Sequence, residues 1–282
     1  MSLRGIKRRV EGVDSMDGAG VRIRRSVGKS QFARIDPFLM LDCFSSDDPD
    51  DYIAGFPAHP HRGFETVTYM LDGLMKHRDH MGNEGVLRPG GVQWMTAGRG
   101  VIHEEMPEQE EGLMRGFQLW INLPSKEKMK PAAYQNIEPE EVTEVELESG
   151  GLVRLVAGEL VSNDQRFVGP VSGISREPIF MEIRLKAGQQ FETQVPNALS
   201  GFVYLFEGSA NLADEALAVH EAAELSEGDI VQLTAGSEGA RMMLIAAEAI
   251  GEPIAQYGPF VMNTSEEIEQ AISDYRANRL TD

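Results

Sequence analysis

The chain has 282 residues and a formal charge of −19. That is enough length for two domains of ordinary size, and the wrong sign for nonspecific nucleic-acid binding. Apolar residues make up 41%, which excludes a disordered polymer, and the densest apolar run, Met242 to Ala247, falls far short of the ~20 residues that a membrane helix needs. The basic N-terminus (Arg4, Lys7, Arg8, Arg9) lacks the apolar segment of a secretory signal. The single cysteine, Cys43, has no internal partner for a disulfide, and fourteen methionines suit a reducing interior. The expectation is a cytoplasmic protein with no membrane contact and no direct nucleic-acid binding.

In chain order, Val21-Arg22-Ile23-Arg24 alternates as a strand with one solvated, basic face. Glu65-Thr-Val-Thr-Tyr-Met-Leu71 is β-branched and aromatic, and ends at the acidic-Gly turn Asp72-Gly73. A second strand–turn–strand run follows in Leu87-Arg-Pro-Gly-Gly-Val-Gln-Trp-Met-Thr-Ala-Gly98. Both segments recur. Tyr69-Met-Leu-Asp-Gly73 aligns with Tyr204-Leu-Phe-Glu-Gly208 at an offset of 135, and the Leu87 run aligns with Leu225-Ser-Glu-Gly-Asp-Ile-Val-Gln-Leu-Thr-Ala-Gly236 at 138. Such a repeat predicts two similar domains in tandem. Short strands with closely spaced turns make each an antiparallel sandwich or barrel. The acidic stretch Glu138 to Glu148 marks the link, so the expected domains are 1–136 and 137–282. Thr264-Ser-Glu-Glu267 is a capping box. Ile268, Ala271, Ile272 and Tyr275 then share one helical face, which predicts a terminal helix over 265–278 in the second domain.

Five of the six histidines lie between positions 59 and 103. His59-Pro-His61 puts two imidazoles on one face of an extended segment, and neutral imidazole is a common ligand for divalent transition metals. Gly98-Arg-Gly-Val-Ile-His103-Glu-Glu105 supplies a third histidine and two carboxylates. Strand parity puts Glu105 on the His103 face and turns Glu104 away. Glu65 shares parity with His59 and His61 and is a second carboxylate candidate. His77 and His80 are assigned to a strand edge or loop. The second repeat acts as an internal control: aligned with its neighbours, Gln194, Pro196, Arg241 and Met243 stand opposite His59, His61, His103 and Glu105. One metal per chain, in the N-terminal domain, is expected.

Pro37-Phe-Leu-Met-Leu-Asp42, Phe56-Pro-Ala-His-Pro-His-Arg-Gly-Phe-Glu65 onward to Gly73, and Gln93-Trp-Met-Thr-Ala-Gly-Arg-Gly-Val-Ile-His-Glu-Glu-Met-Pro107 resemble the signature blocks of the pirin family. Phe117-Gln-Leu-Trp-Ile-Asn-Leu-Pro124 extends the likeness, and the C-terminal half resembles a degenerate cupin more loosely. The resemblance implies an all-β fold of two tandem cupin (jelly-roll β-sandwich) domains with a short C-terminal helix. It implies a metal site of His59, His61, His103 and Glu105, with Glu65 left in a supporting role. Iron, as Fe(II), leads the metals it implies, with Mn, Co, Ni, Cu or Zn as alternatives. A structural zinc would be closed by four ligands, whereas an octahedral ion keeps two positions open for substrate and oxygen.

Phe56, Phe64, Tyr69, Trp94 and Trp120 are candidates to line a pocket beside it. Bacterial members resemble quercetin 2,3-dioxygenases, which implies a flavonol or other small aromatic substrate, O2, and Glu105 as catalytic base. Eukaryotic members resemble transcriptional cofactors, so the alternative is a non-catalytic iron- or redox-sensing regulator with a protein partner. A monomer is expected in either case.

Overall fold

A computed structural model describes residues 2–282, built mainly of antiparallel strands joined by turns and loops, with one α-helix, Ser265–Arg276. The strands gather into two compact units, and the division is not a single cut. One unit takes the chain up to Val13, Ser26–Pro37 and Glu140–Ala249; the other takes Asp14–Arg25, Phe38–Pro139 and Ile250–Asp282. The expected domains 1–136 and 137–282 therefore need correction at both ends. The N-terminal strand Ile6–Glu11 completes the edge of the second-repeat unit by pairing with Glu221–Leu225. The C-terminal segment, helix included, belongs to the histidine-bearing unit.

Packing explains the helix's allegiance. Its capping box is present: Glu267 N donates to Thr264 Oγ1 at 3.2 Å and Thr264 N donates to Glu267 Oε2 at 3.0 Å. Ile268 and Ala271 are buried with Phe260, Met262, Leu280 and Ile102. Tyr275, assigned to that face by periodicity, is 39% exposed instead. The helix ends two residues before the expected 278, and Asn278 takes the left-handed conformation that commonly closes helices.

The histidine-bearing unit is sandwich-like. One layer has seven strands, with Val92–Thr96, Phe64–Asp72, Met114–Asn122, Phe38–Ser46 and Val21–Arg25 adjacent in that order. The other has four strands, in the order Phe56–His61, Val101–Pro107, Met75–Asp79, Glu84–Leu87. Core side chains such as Tyr69, Trp94, Phe117 and Phe64 are fully buried. Val21 and Ile23 point inward as expected, while Arg22 and Arg24 reach solvent and pair with Asp51 and Asp14.

Topology corrects the repeat. Tyr69 lies between Val92 and Phe117, and Tyr204 lies between Ala222 and Met243, so these two positions are equivalent. The Leu87 and Leu225 runs share only a strand–turn–strand grammar. Val92–Thr96 pairs with Phe64–Asp72, whereas the first half of Ile230–Glu248 pairs with Gln190–Gln194. In the second unit the place of the His103 strand is thus held by residues 230–234. Arg241 and Met243, the expected counterparts of His103 and Glu105, lie in the far half of Ile230–Glu248, where it pairs with Ile179–Leu185 instead. The true counterpart holds no histidine, and there Gln232 Nε2 donates to Glu192 Oε2 at 3.2 Å.

Candidate metal centre

Register brings the candidate ligands together. In the four-stranded layer His103 stands directly opposite His59 on one neighbour and Asp79 on the other; Glu105 stands opposite Phe56 and His77. Along Val101–Pro107 burial alternates, with Val101, His103 and Glu105 inward and Ile102 and Glu104 partly exposed, as the parity argument requires. Gly63, just after His61, has φ +92°, and a Cβ there would lie 2.0 Å from the Val261 carbonyl oxygen. Only glycine lets the C-terminal segment close over this turn.

The imidazoles of His59, His61 and His103 form the metal-capable group found among the described residues, with donor atoms all within 4.8 Å of one another. His59 Nε2 and His61 Nε2 are 3.0 Å apart. Two ligands at ~2.1 Å and right angles around one ion would be ~3.0 Å apart. The Pro57 carbonyl accepts from His59 Nδ1–H at 2.9 Å, which leaves Nε2 with its lone pair. His103 Nε2 is buried with no protein partner, an expensive omission unless something else occupies its lone pair. Burial, reinforced by the neighbouring imidazoles, holds His61 and His103 well below the ordinary imidazole range, while the Pro259 carbonyl opposes this at His61 in smaller measure. Both rings are therefore neutral and ready to ligate. By donor chemistry and spacing, the site suits a divalent transition metal.

Glu105 is buried on the correct face but stands outside the three-histidine group. Its Oε1 accepts from Thr68 Oγ1 at 2.8 Å and its Oε2 from Gln118 Nε2 at 3.3 Å. Glu65 is fully buried and committed elsewhere, to Trp94 Nε1 at 3.1 Å, Thr96 Oγ1 at 2.8 Å and Lys130 Nζ at 3.4 Å. Among the aromatic candidates, Phe64 and Trp120 face His61 edge-on at 5.0 and 5.2 Å. Tyr69 and Trp94 are core, and Phe56 packs with the cluster around Phe44 and Tyr52. His77, assigned to an edge or loop, is instead buried in the middle of the layer, with Nδ1 3.4 Å from His103 Nδ1. Thr68, Gln118, Asp79 and Tyr134 complete the surroundings. None of these four stood out as a motif.

The two glutamates give a direct check on the strand. Glu104→Ala should leave metal content unchanged, because its side chain points away. Glu105→Ala should lower it at least several-fold. Elemental analysis of the two variants decides, and equal losses would mean that side-chain alternation does not select the carboxylate.

Comparison with known proteins points one way. The family model for pirin matches residues 20–121, and that for the pirin C-terminal cupin domain matches 180–281. A Pseudomonas aeruginosa relative whose name proposes a quercetin 2,3-dioxygenase is 50% identical over 268 residues, 94% of each chain. Human pirin is 40% identical over 270 residues, covering 93% of this chain and 89% of its own. The crystal structure of quercetin 2,3-dioxygenase from Acinetobacter baumannii superposes with a TM-score of 0.89 at 32% identity, over 99% of both chains.

Proposed function

The chain belongs to the pirin family, and from that premise we propose that it is a metal-dependent dioxygenase that cleaves a flavonol such as quercetin with O2. The observation that carries this reading is the convergence of three imidazoles beside a buried carboxylate and the ring of Trp120. The names of the P. aeruginosa and A. baumannii relatives support the substrate class. His59, His61 and His103 would hold the ion, with Glu105 as fourth ligand, and iron as Fe(II) is the metal proposed. A divalent ion bound there supplies Lewis acidity toward oxygen donors and reactivity toward O2.

The remaining work falls to side chains. Trp120, partly exposed and packed on the buried Phe64 ring, offers an apolar wall suited to a flat aromatic substrate. Glu105 accepts the proton of the flavonol hydroxyl, and Thr68 and Gln118 hold its two oxygens in place while it does so. The test is aerobic incubation of the iron-loaded protein with quercetin and related flavonols. The expected result is bleaching of the flavonol with matching oxygen uptake. A fully metallated protein that leaves every flavonol untouched would instead favour a regulator whose affinity for a protein partner follows the oxidation state of iron.

A further inference from the structure

His103 can offer Nε2 to an ion only if its Nδ1 carries the proton, and a buried N–H needs an acceptor. The partner the structure supplies is His77 Nδ1, at 3.4 Å. To accept there, His77 must itself be protonated on Nε2. That nitrogen makes no hydrogen bond and faces Asp79 Oδ2 at 3.6 Å, close enough for the carboxylate to favour a proton there, and the two side chains are 2% and 0% exposed. Asp79 is in turn pinned by three donors from the following turn: Met81 N at 2.9 Å, Asn83 N at 3.0 Å and Asn83 Nδ2 at 2.7 Å. The His77 ring is also fixed, stacked on Tyr134 with centroids 4.6 Å apart and planes inclined by 18°.

Strand register makes this row rather than chance. Asp79 stands opposite His103 and His77 opposite Glu105, so all four side chains share one face of the layer. Lys76 and Arg78 take the other face and pair with Glu84. A buried histidine and a buried aspartate adjacent to a candidate ligand are costly to keep for packing alone.

We infer that His77, backed by Asp79, is a positioning residue that fixes the Nε2-ligating tautomer and ring orientation of His103. The inference rests on the three-histidine metal reading, and the test separates the two. Metal-stripped full-length protein is titrated with Co(II), read by visible absorption, and compared with His77→Phe, His77→Asn, Asp79→Asn and His59→Ala. Phenylalanine keeps the stacking on Tyr134 but removes the acceptor. Asparagine places its Oδ1 near the lost Nδ1. The expected result is a Co(II) affinity weakened roughly 10- to 100-fold in His77→Phe, as outer-shell losses typically produce. That variant should also show an altered Co(II) spectrum, and His77→Asn should recover to within about threefold of wild type.

Asp79→Asn should be intermediate, and it carries the test alone if His77→Phe does not fold. Wild-type affinity in His77→Phe or Asp79→Asn, or an asparagine variant as weak as the phenylalanine one, overturns the inference. Wild-type protein that takes up no Co(II), or takes it up as well after His59→Ala, overturns the metal reading and this inference with it.

Discussion

Replacing His61 with alanine should empty the metal site and abolish flavonol cleavage. The ring supplies one of three convergent imidazoles, and its Nε2 lies 3.0 Å from that of His59. Removing a direct ligand should weaken metal binding by more than the roughly 100-fold upper range of outer-shell changes. The fold should survive. The lost ring leaves a cavity beside Phe64 and Trp120, with a cost of about 1–3 kcal/mol. Metal content by elemental analysis and the thermal transition of the metal-free protein, measured together, separate the outcomes. Lost metal with a preserved transition is the expected pair, and retained metal with lost stability would contradict it.

The largest effect on stability is expected from Lys128→Met. Lys128 is 1% exposed, and its Nζ donates to Gly63 O at 2.8 Å, Asn122 Oδ1 at 2.7 Å and Val261 O at 2.9 Å. One ammonium thus ties the turn after His61 to the C-terminal segment. Methionine keeps much of the volume and strands three buried acceptors at ~1–3 kcal/mol each, while removing the cost of burying the ammonium, so a net loss of about 3–5 kcal/mol is expected. A thermal melt of the variant should move down by about 10 °C, and an unchanged melt would mean that the three contacts add nothing.

Burial pushes Lys128 down to about 8 from its ordinary 10.5, with Glu252 and Glu267 opposing the shift. Folding therefore releases a proton between those values. The group's stabilising contribution is complete above the unfolded value, and is lost as pH falls toward about 8. Wild type should accordingly gain on Lys128→Met as pH rises through that window.

Much of the candidate site is legible in strand alternation alone. His59-Pro-His61 and the parity of His103 with Glu105 needed only strand alternation, and the burial pattern of Val101–Pro107 follows it. The same alternation applies to His77. Met75, His77 and Asp79 share one parity while Lys76 and Arg78 share the other, the same signal that selected Glu105 over Glu104. The turn at Gly73 resembles the start of an edge strand, yet Met75–Asp79 pairs on both sides.

What the sequence hid is long-range. Nothing local says that Ile6–Glu11 pairs with a strand more than two hundred residues away, or that the terminal helix covers Ile102. Amphipathic periodicity shows that a face is buried but not against what. The repeat misled for a related reason, because strand–turn–strand segments look alike wherever they lie in a jelly roll. The strand of the second unit equivalent to the His103 strand still carries no histidine, but its residues are 230–234 and not Arg241 and Met243.

A three-histidine metal site that puts O2 into a flavonol should leave both oxygen atoms in the product, and isotope labelling follows them. Iron-loaded protein should be incubated with quercetin under heavy-isotope O2, and the products analysed by mass spectrometry. The expected result is a ring-opened product carrying both labelled oxygen atoms, absent from His61→Ala. Unlabelled product, or no oxygen consumed by a fully metallated protein, would rule out flavonol dioxygenation at this site.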